Sequence, residues 1–314
     1  MIPMARLNRG AAALALASLL PAAAAAQQKA LTLDDIYDPD KKVDFDGTFP
    51  RNLEWIDDEH YLWPKTDSRS RTEMLKVEAL TGKAEPLFDV SRMEATLGSL
   101  EGISAEEAKL LARPRSFVSN AKRTAVLLTI RDDLYLYDLL AHHAVRLTRS
   151  PGKKEEASLS PDETRVAFVR DNDLFVVDVA AKHERALTTD GSPDVLNGKL
   201  DWVYQEEIYG RGAFRAYWWS PDSTRIAFLQ LAEKAVPRYT IVDDVPYHPE
   251  IEAYPYPKAG DPNPAARLAV VPAAGGTPRW IDTARYGAEH LICNVSWTPD
   301  SRQIAFQVQD REQT

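Results

Sequence analysis

Glu206 and Glu207 stand side by side in the stretch LDWVYQEEIYGRGAF, Leu200 to Phe214, among Trp202, Val203, Tyr204, Ile208 and Tyr209. Two neighbouring carboxylates held among aromatic side chains repel each other and resist ionisation unless a cation sits between them. An ammonium group carries N–H donors for both and would bind through charge-assisted hydrogen bonds. Other partners fit the same chemistry. Arg211 or Arg215 could form a salt bridge, water could solvate the pair, and calcium accepts carboxylate oxygens. A transition metal finds no neighbouring His to complete its ligand set.

The element that positions the pair is read as a short helix capped by Asp201. Successive side chains then step by about 100°; with Trp202 at zero, Glu206 and Glu207 fall at about 40° and 140°, on either side of Val203. They interleave with the apolar set instead of forming a separate polar face.

Around this segment the chain repeats one unit: SLSPDETRVAFVRDNDLFVVDVAAKHERALT from Ser158, WWSPDSTRIAFLQ from Trp218 and SWTPDSRQIAFQVQD from Ser296. Each has a Ser or Thr, a Pro-Asp turn, and a run that alternates with period two. That pattern encodes antiparallel hairpins. Weaker copies start at Phe117, with Asn-Ala in place of Pro-Asp, and at Leu53. Where the following strand is seen, it ends in Asp, a polar link and RLT or ALT. Recurrence with insertions predicts an all-β chain, a β-propeller of about five blade-like units. Ser104 to Ala112 breaks the pattern as a helix, with Ser104 and Glu107 at capping-box spacing.

Composition bounds the function. The chain has 314 residues, 44% of them apolar, enough for a packed core. A net charge of -9 disfavours nucleic acid or an anionic membrane as the main partner and suits a cationic ligand group. Residues 1–26 have the basic start, apolar middle and small-residue end of a cleaved Sec-type signal peptide, which implies a periplasmic or secreted protein. An uncleaved anchor is the alternative, but the apolar run is Ala-rich and shorter than the ~20 residues a spanning helix needs. Residues 27–48 read as a polar arm and 49–314 as the partial propeller. Cys293 is the only cysteine, so an intrachain disulfide is impossible and stability must come from packing.

The run DWVYQEEIYGRGAFRAYWWSPDSTRIAFLQ, followed by YPYPKAGDPNPAARLAVV, closely resembles the propeller of the dipeptidyl peptidase IV family, within the prolyl oligopeptidase superfamily of serine peptidases. The match is strong over Asp201 to Phe306 and weaker upstream. The resemblance implies an eight-bladed propeller covering an α/β-hydrolase domain, with release of N-terminal dipeptides of Xaa-Pro or Xaa-Ala type. By it, Glu206 and Glu207 anchor the free N-terminal amine of a peptide, and a propeller arginine holds a substrate carbonyl. Arg131 is the candidate for that arginine, although its local context departs from the mammalian-type pattern. Peptides with a free N-terminus are the implied partners, with a homodimer possible for a full-length form. No metal or other cofactor is called for.

The chemistry of that family needs a serine on a G-x-S-x-G elbow. The sequence contains none. His60, His142, His143, His183, His248 and His290 fall in turns and links and read as surface residues. Substrate recognition without the nucleophile is therefore expected: the hydrolase domain is absent from the sequence, the catalytic triad is missing, and the chain ends in the fifth blade-like unit of a longer peptidase. The alternative is a non-enzymatic propeller that binds peptides or proteins.

Overall fold

The computed structural model describes residues 30–38, 40, 52–67, 71–113 and 118–312. The signal peptide expected at 1–26 lies outside them. The chain divides into two units, Met1–Pro50 and Arg51–Thr314. In the first, the segment expected as a polar arm holds a short helix, α1 (Leu33–Tyr37). Thr32 caps it: the Asp35 N–H donates to Thr32 Oγ1 at 3.2 Å and the Thr32 N–H to Asp35 Oδ2 at 3.0 Å.

The second unit repeats one four-stranded antiparallel meander. The first sheet comprises Glu54–Trp55, His60–Thr66, Thr72–Glu78 and Ala84–Pro86; the second, Val118–Ser119, Ala125–Ile130, Asp133–Asp138 and His143–Arg146. The third runs through Glu155–Leu159, Arg165–Arg170, Asp173–Asp178 and Glu184–Ala186. In the fourth, Val195–Asn197 and Tyr217–Trp219 both pair with Arg225–Ala232, which is followed by Ala265–Pro272 and Arg279–Trp280. Leu291–Trp297 and Ile304–Gln309 form a fifth, two-stranded sheet. These are the blade-like units the repeats predict.

Period-two alternation decides where the core sits, because a sheet between two others buries both faces. From Arg165–Arg170, Val166 and Phe168 enter the core shared with Leu127 and Leu134 of the second sheet. Ala167 and Val169 point the other way, into the core shared with Tyr217, Ile226 and Phe228 of the fourth. Arg225–Ala232 of the fourth sheet does the same, sending Ala227, Leu229 and Leu231 toward Ile292 and Val295 of the fifth sheet. Truncating a ring such as Phe168 or Phe228, each fully buried, would cost about 3–5 kcal/mol.

The recurring polar signatures have mechanical roles. In SPDET, Ser160 Oγ donates to Asp162 Oδ1 (2.6 Å), and the Thr164 N–H donates to the same oxygen (3.1 Å). Ser220, Asp222 and Thr224 repeat this turn. The residue after the Asp is left-handed each time: Glu163, Ser223 and Ser301 have φ of 63°, 61° and 61°. That residue also meets the preceding sheet. Asn120 Nδ2 donates to Glu163 Oε2 (3.1 Å), the Asp162 N–H to Ser223 Oγ (3.0 Å), and the Asp222 N–H to Ser301 Oγ (3.0 Å). The terminal Thr of RLT and ALT closes the outer edge: Thr188 Oγ1 donates to Asp173 Oδ1 at 2.6 Å and accepts from the Leu174 N–H at 2.9 Å. Thr148 does so with Asp133 and Leu134.

Three excursions leave the meander. Helices α2 (Val90–Gly98) and α3 (Ala105–Leu111) join the first sheet to the second. Ser104 caps α3 by accepting from the Glu107 N–H at 3.1 Å. The expected capping box is half made, since the Glu107 carboxylate turns to Arg131 instead. An exposed hairpin, Arg238–Asp243 with Glu250–Pro255, interrupts the fourth sheet. The third excursion, residues 198–216, divides the first strand of that sheet and carries the glutamate pair.

Candidate amine-binding site

Asp201 starts the helical turn as expected, accepting the N–H groups of Tyr204 (3.0 Å) and Val203 (3.3 Å). Its carboxyl is buried, and burial pushes its pKa up against the pull of those two donors. The helix departs from the expected α geometry. Tyr204–Ile208 is a π turn in which the Tyr209 N–H reaches back to the Tyr204 carbonyl at 2.8 Å. The wider turn redistributes the side chains, so the 100° steps do not apply.

Aromatic packing fixes the turn from both sides. Tyr204 is fully buried, and its hydroxyl accepts from the Ile292 N–H of the fifth sheet at 3.1 Å. Trp202 packs on Tyr256 with ring centroids 4.3 Å apart, and Tyr209 lies 6.1 Å from Trp218. Gln205 is buried as well; its Oε1 accepts from the Gly212 N–H (2.9 Å) while its Nε2 donates to Glu206 Oε1 (2.9 Å). The strand-bound aromatics thus hold a short rigid loop that presents two carboxylates.

The two glutamates differ. Glu206 is 17% exposed at its side chain and pairs with Arg211 Nε at 2.7 Å. Gln205 and then Arg211 hold its carboxyl below the usual range. Glu207 is exposed and has no ion pair or side-chain hydrogen bond among the described residues. The expected interleaving therefore holds in part. Glu206 sits among neighbours with a counter-ion already supplied, and Glu207 faces solvent. No group of His, Cys, Asp and Glu among the described residues is arranged to hold a metal ion.

Arg131 occupies the turn between Ala125–Ile130 and Asp133–Asp138 with φ 57°. Its guanidinium donates to the Gly102 carbonyl and lies 3.4 Å from Glu107 Oε2, both on the α2–α3 excursion. No contact joins it to the glutamate segment among the described residues. The histidines are surface residues with one correction: His290 is buried, its Nδ1 2.7 Å from the Gly287 carbonyl and its Nε2 enclosed without a partner. Two acids escaped the sequence reading. Glu233 is buried where the exposed hairpin leaves the fourth sheet, and burial followed by Asp201 and Asp194 pushes its pKa up to about 7. Glu156 sits on a bulge of the third sheet with φ 53°. Neither has a hydrophobic or turn signature of its own.

Comparison with known proteins places this architecture. Residues 114–314 match the model of the dipeptidyl peptidase IV (DPP IV) N-terminal region. Dipeptidyl aminopeptidase B of Saccharomyces cerevisiae is 38% identical over 146 residues, covering 44% of this chain and 18% of that protein. Dipeptidyl peptidase 4 of Sus scrofa is 26% identical over 314 residues, 96% of this chain and 38% of the relative. The crystal structure of Porphyromonas gingivalis dipeptidyl peptidase 4 superposes with a TM-score of 0.68 at 27% identity, covering 90% of this chain and 39% of that one. The chain thus spans well under half the length of these relatives. Its sheets are blades of a β-propeller that do not close into a ring among the described residues. Matching that family's N-terminal region over residues 114–314, the chain belongs to the dipeptidyl peptidase IV family.

Proposed function

We propose that this chain is the substrate-recognition propeller of an exported serine exopeptidase that removes N-terminal dipeptides with Pro or Ala second. The observation that carries the reading is the π turn presenting Glu206 and Glu207, with Glu207 unpaired and Glu206 held by Gln205 and ion-paired only to an arginine that is 85% exposed. A peptide ammonium can join Glu207 directly and share or displace Arg211 at Glu206. Fixing the amine fixes which peptide bond reaches a nucleophile, so binding at one end sets the cleavage register at the other. The nucleophile would come from a hydrolase domain outside this sequence, which has no G-x-S-x-G. Arg131 would hold a substrate carbonyl only by leaving Gly102 and Glu107. Residues 1–26 would direct export and be cleaved off in its course, giving a mature N-terminus at Gln27.

The test compares Xaa-Pro substrates with free and N-acetylated termini on the full-length gene product. The free peptide should be preferred at least about tenfold, and Glu206→Ala or Glu207→Ala should raise KM and abolish that preference. Equal cleavage of both substrates would defeat the amine-anchor reading. The absent elbow motif favours one rival, a non-enzymatic propeller that binds peptides; it predicts the same amine preference in binding with no hydrolysis. A homodimer of the full-length form belongs to the proposal, and the exposed hairpin offers it an apolar surface.

A further inference from the structure

A cavity of about 550 Å³ opens beside the glutamate excursion. One wall is the downstream limb of that excursion, with Tyr209, Ala213, Phe214 and Arg215, continued by Trp218 of the fourth sheet; strands of the second and third sheets form the other, and Glu156 projects from them. The bulge that aims Glu156 is locked. Val169 faces Glu155 while Ala167 faces Ser158, so the two residues between are forced out of register. The buried Tyr217 hydroxyl donates to the Glu156 carbonyl and lies 3.0 Å from Ser158 Oγ. A non-glycine residue held at positive φ is a costly conformation that tertiary contacts must maintain.

Glu156 is partly buried, and its carboxylate has no hydrogen bond or ion pair among the described residues. Burial pushes its pKa up, with Arg215 pulling in the opposite direction. Arg215 is exposed, and its guanidinium lies 5.8 Å from the Tyr217 ring centre without a carboxylate partner. The cavity therefore offers an acceptor, a donor and an aromatic wall. A cationic ligand group would be opposed by Arg215 and an anionic one by Glu156. An amide, with its N–H and C=O, satisfies both.

We propose that this cavity is a second peptide-binding subsite in which Glu156 accepts the N–H and Arg215 donates to the C=O of one peptide unit of an extended ligand. The adjacent side chain lies against Phe214 and Trp218. The subsite rests on the peptide-binding reading above, because the same excursion carries the amine anchor. It differs in what it reads: the backbone of the ligand instead of its terminus.

The experiment is calorimetry on the full chain with an Ala-Pro-initiated hexapeptide, its N-acetyl form, and a series methylated at one backbone nitrogen at a time. In wild type, methylation at one position beyond the proline should weaken binding about tenfold. That penalty should vanish in Glu156→Ala, and Ala213→Phe, placed at an exposed position, should weaken every peptide by filling the cavity. The same methylation profile in wild type and Glu156→Ala, or unchanged affinity in Ala213→Phe, overturns the subsite. Acetylation gives the separate readout: equal affinity for the acetylated and free peptides removes the amine anchor while the methylation profile still judges Glu156. Failure of every peptide to bind overturns both.

Discussion

Arg211 Nε lies 2.7 Å from Glu206 Oε2, yet the arginine side chain remains 85% exposed. A solvent-exposed pair of this kind contributes little to stability. It can act as a resident stand-in for a ligand's ammonium. Arg211→Gln should leave the melting temperature unchanged and tighten binding of a free-N-terminal peptide by about two- to fivefold, with a stronger salt dependence, because the site is then more negative. Calorimetry at two ionic strengths checks this; weaker binding would make Arg211 a part of the site instead of a competitor.

Glu233 gives a pH signature. Its folded pKa of about 7 lies above its ordinary value of 4.5, so the folded state holds the proton more tightly than the unfolded one. The resulting stability is present in full below pH 4.5, declines as pH rises through the folded value, and is lost above about 7. Glu233→Gln should remove the decline and stabilise the protein at pH 8 by up to about 3 kcal/mol. Thermal melts of both proteins from pH 5 to 8.5 decide it. A parallel decline in the variant would assign the effect elsewhere.

Tyr217 ties the third sheet to the fourth through its hydroxyl, which donates to the Glu156 carbonyl and lies 2.9 Å from the Ala167 carbonyl oxygen and 3.0 Å from Ser158 Oγ. Tyr217→Phe keeps the ring and leaves those buried groups short of a partner, at a cost of about 1–3 kcal/mol. Urea unfolding measures the loss. A destabilisation below about 0.5 kcal/mol would show that the bulge is held by other means.

The exposed hairpin bears on assembly. Tyr247 is 95% and Ile251 72% exposed. The full-length form should behave as a dimer in sedimentation, and Ile251→Lys should shift it toward monomer. An unchanged sedimentation coefficient in the variant would remove the hairpin from the interface.

Much of the blade plan was legible in the chain. Val166, Ala167, Phe168 and Val169 alternate because neighbouring sheets cover both faces of their strand, and the Pro-Asp turns announce the hairpins between strands. The glutamate pair stood out because its apolar neighbours are the residues that pin the π turn. Other features depend on contacts that local sequence does not encode. The π geometry needs Tyr204 to reach Ile292, 88 positions away. His290 looked like a loop residue and is enclosed by its own turn at Gly287. The exposed hairpin alternates against nothing, so its strands carry no burial pattern. Glu156 is displaced by a register shift visible only when both strands are in place.

The left-handed serines have a consequence for how the protein is made. Ser223 receives the Asp162 N–H, and Ser301 receives the Asp222 N–H. In each pair the acceptor is the later residue, about sixty to eighty positions downstream. On a ribosome that emits roughly 5–20 residues per second, a turn therefore waits several seconds for the serine that completes it. Each hairpin emerges with one backbone donor still open, and its successor seals it. Synonymous changes that slow translation between residues 162 and 223 would prolong that open interval and increase the exposure of the nascent chain to chaperones and proteases.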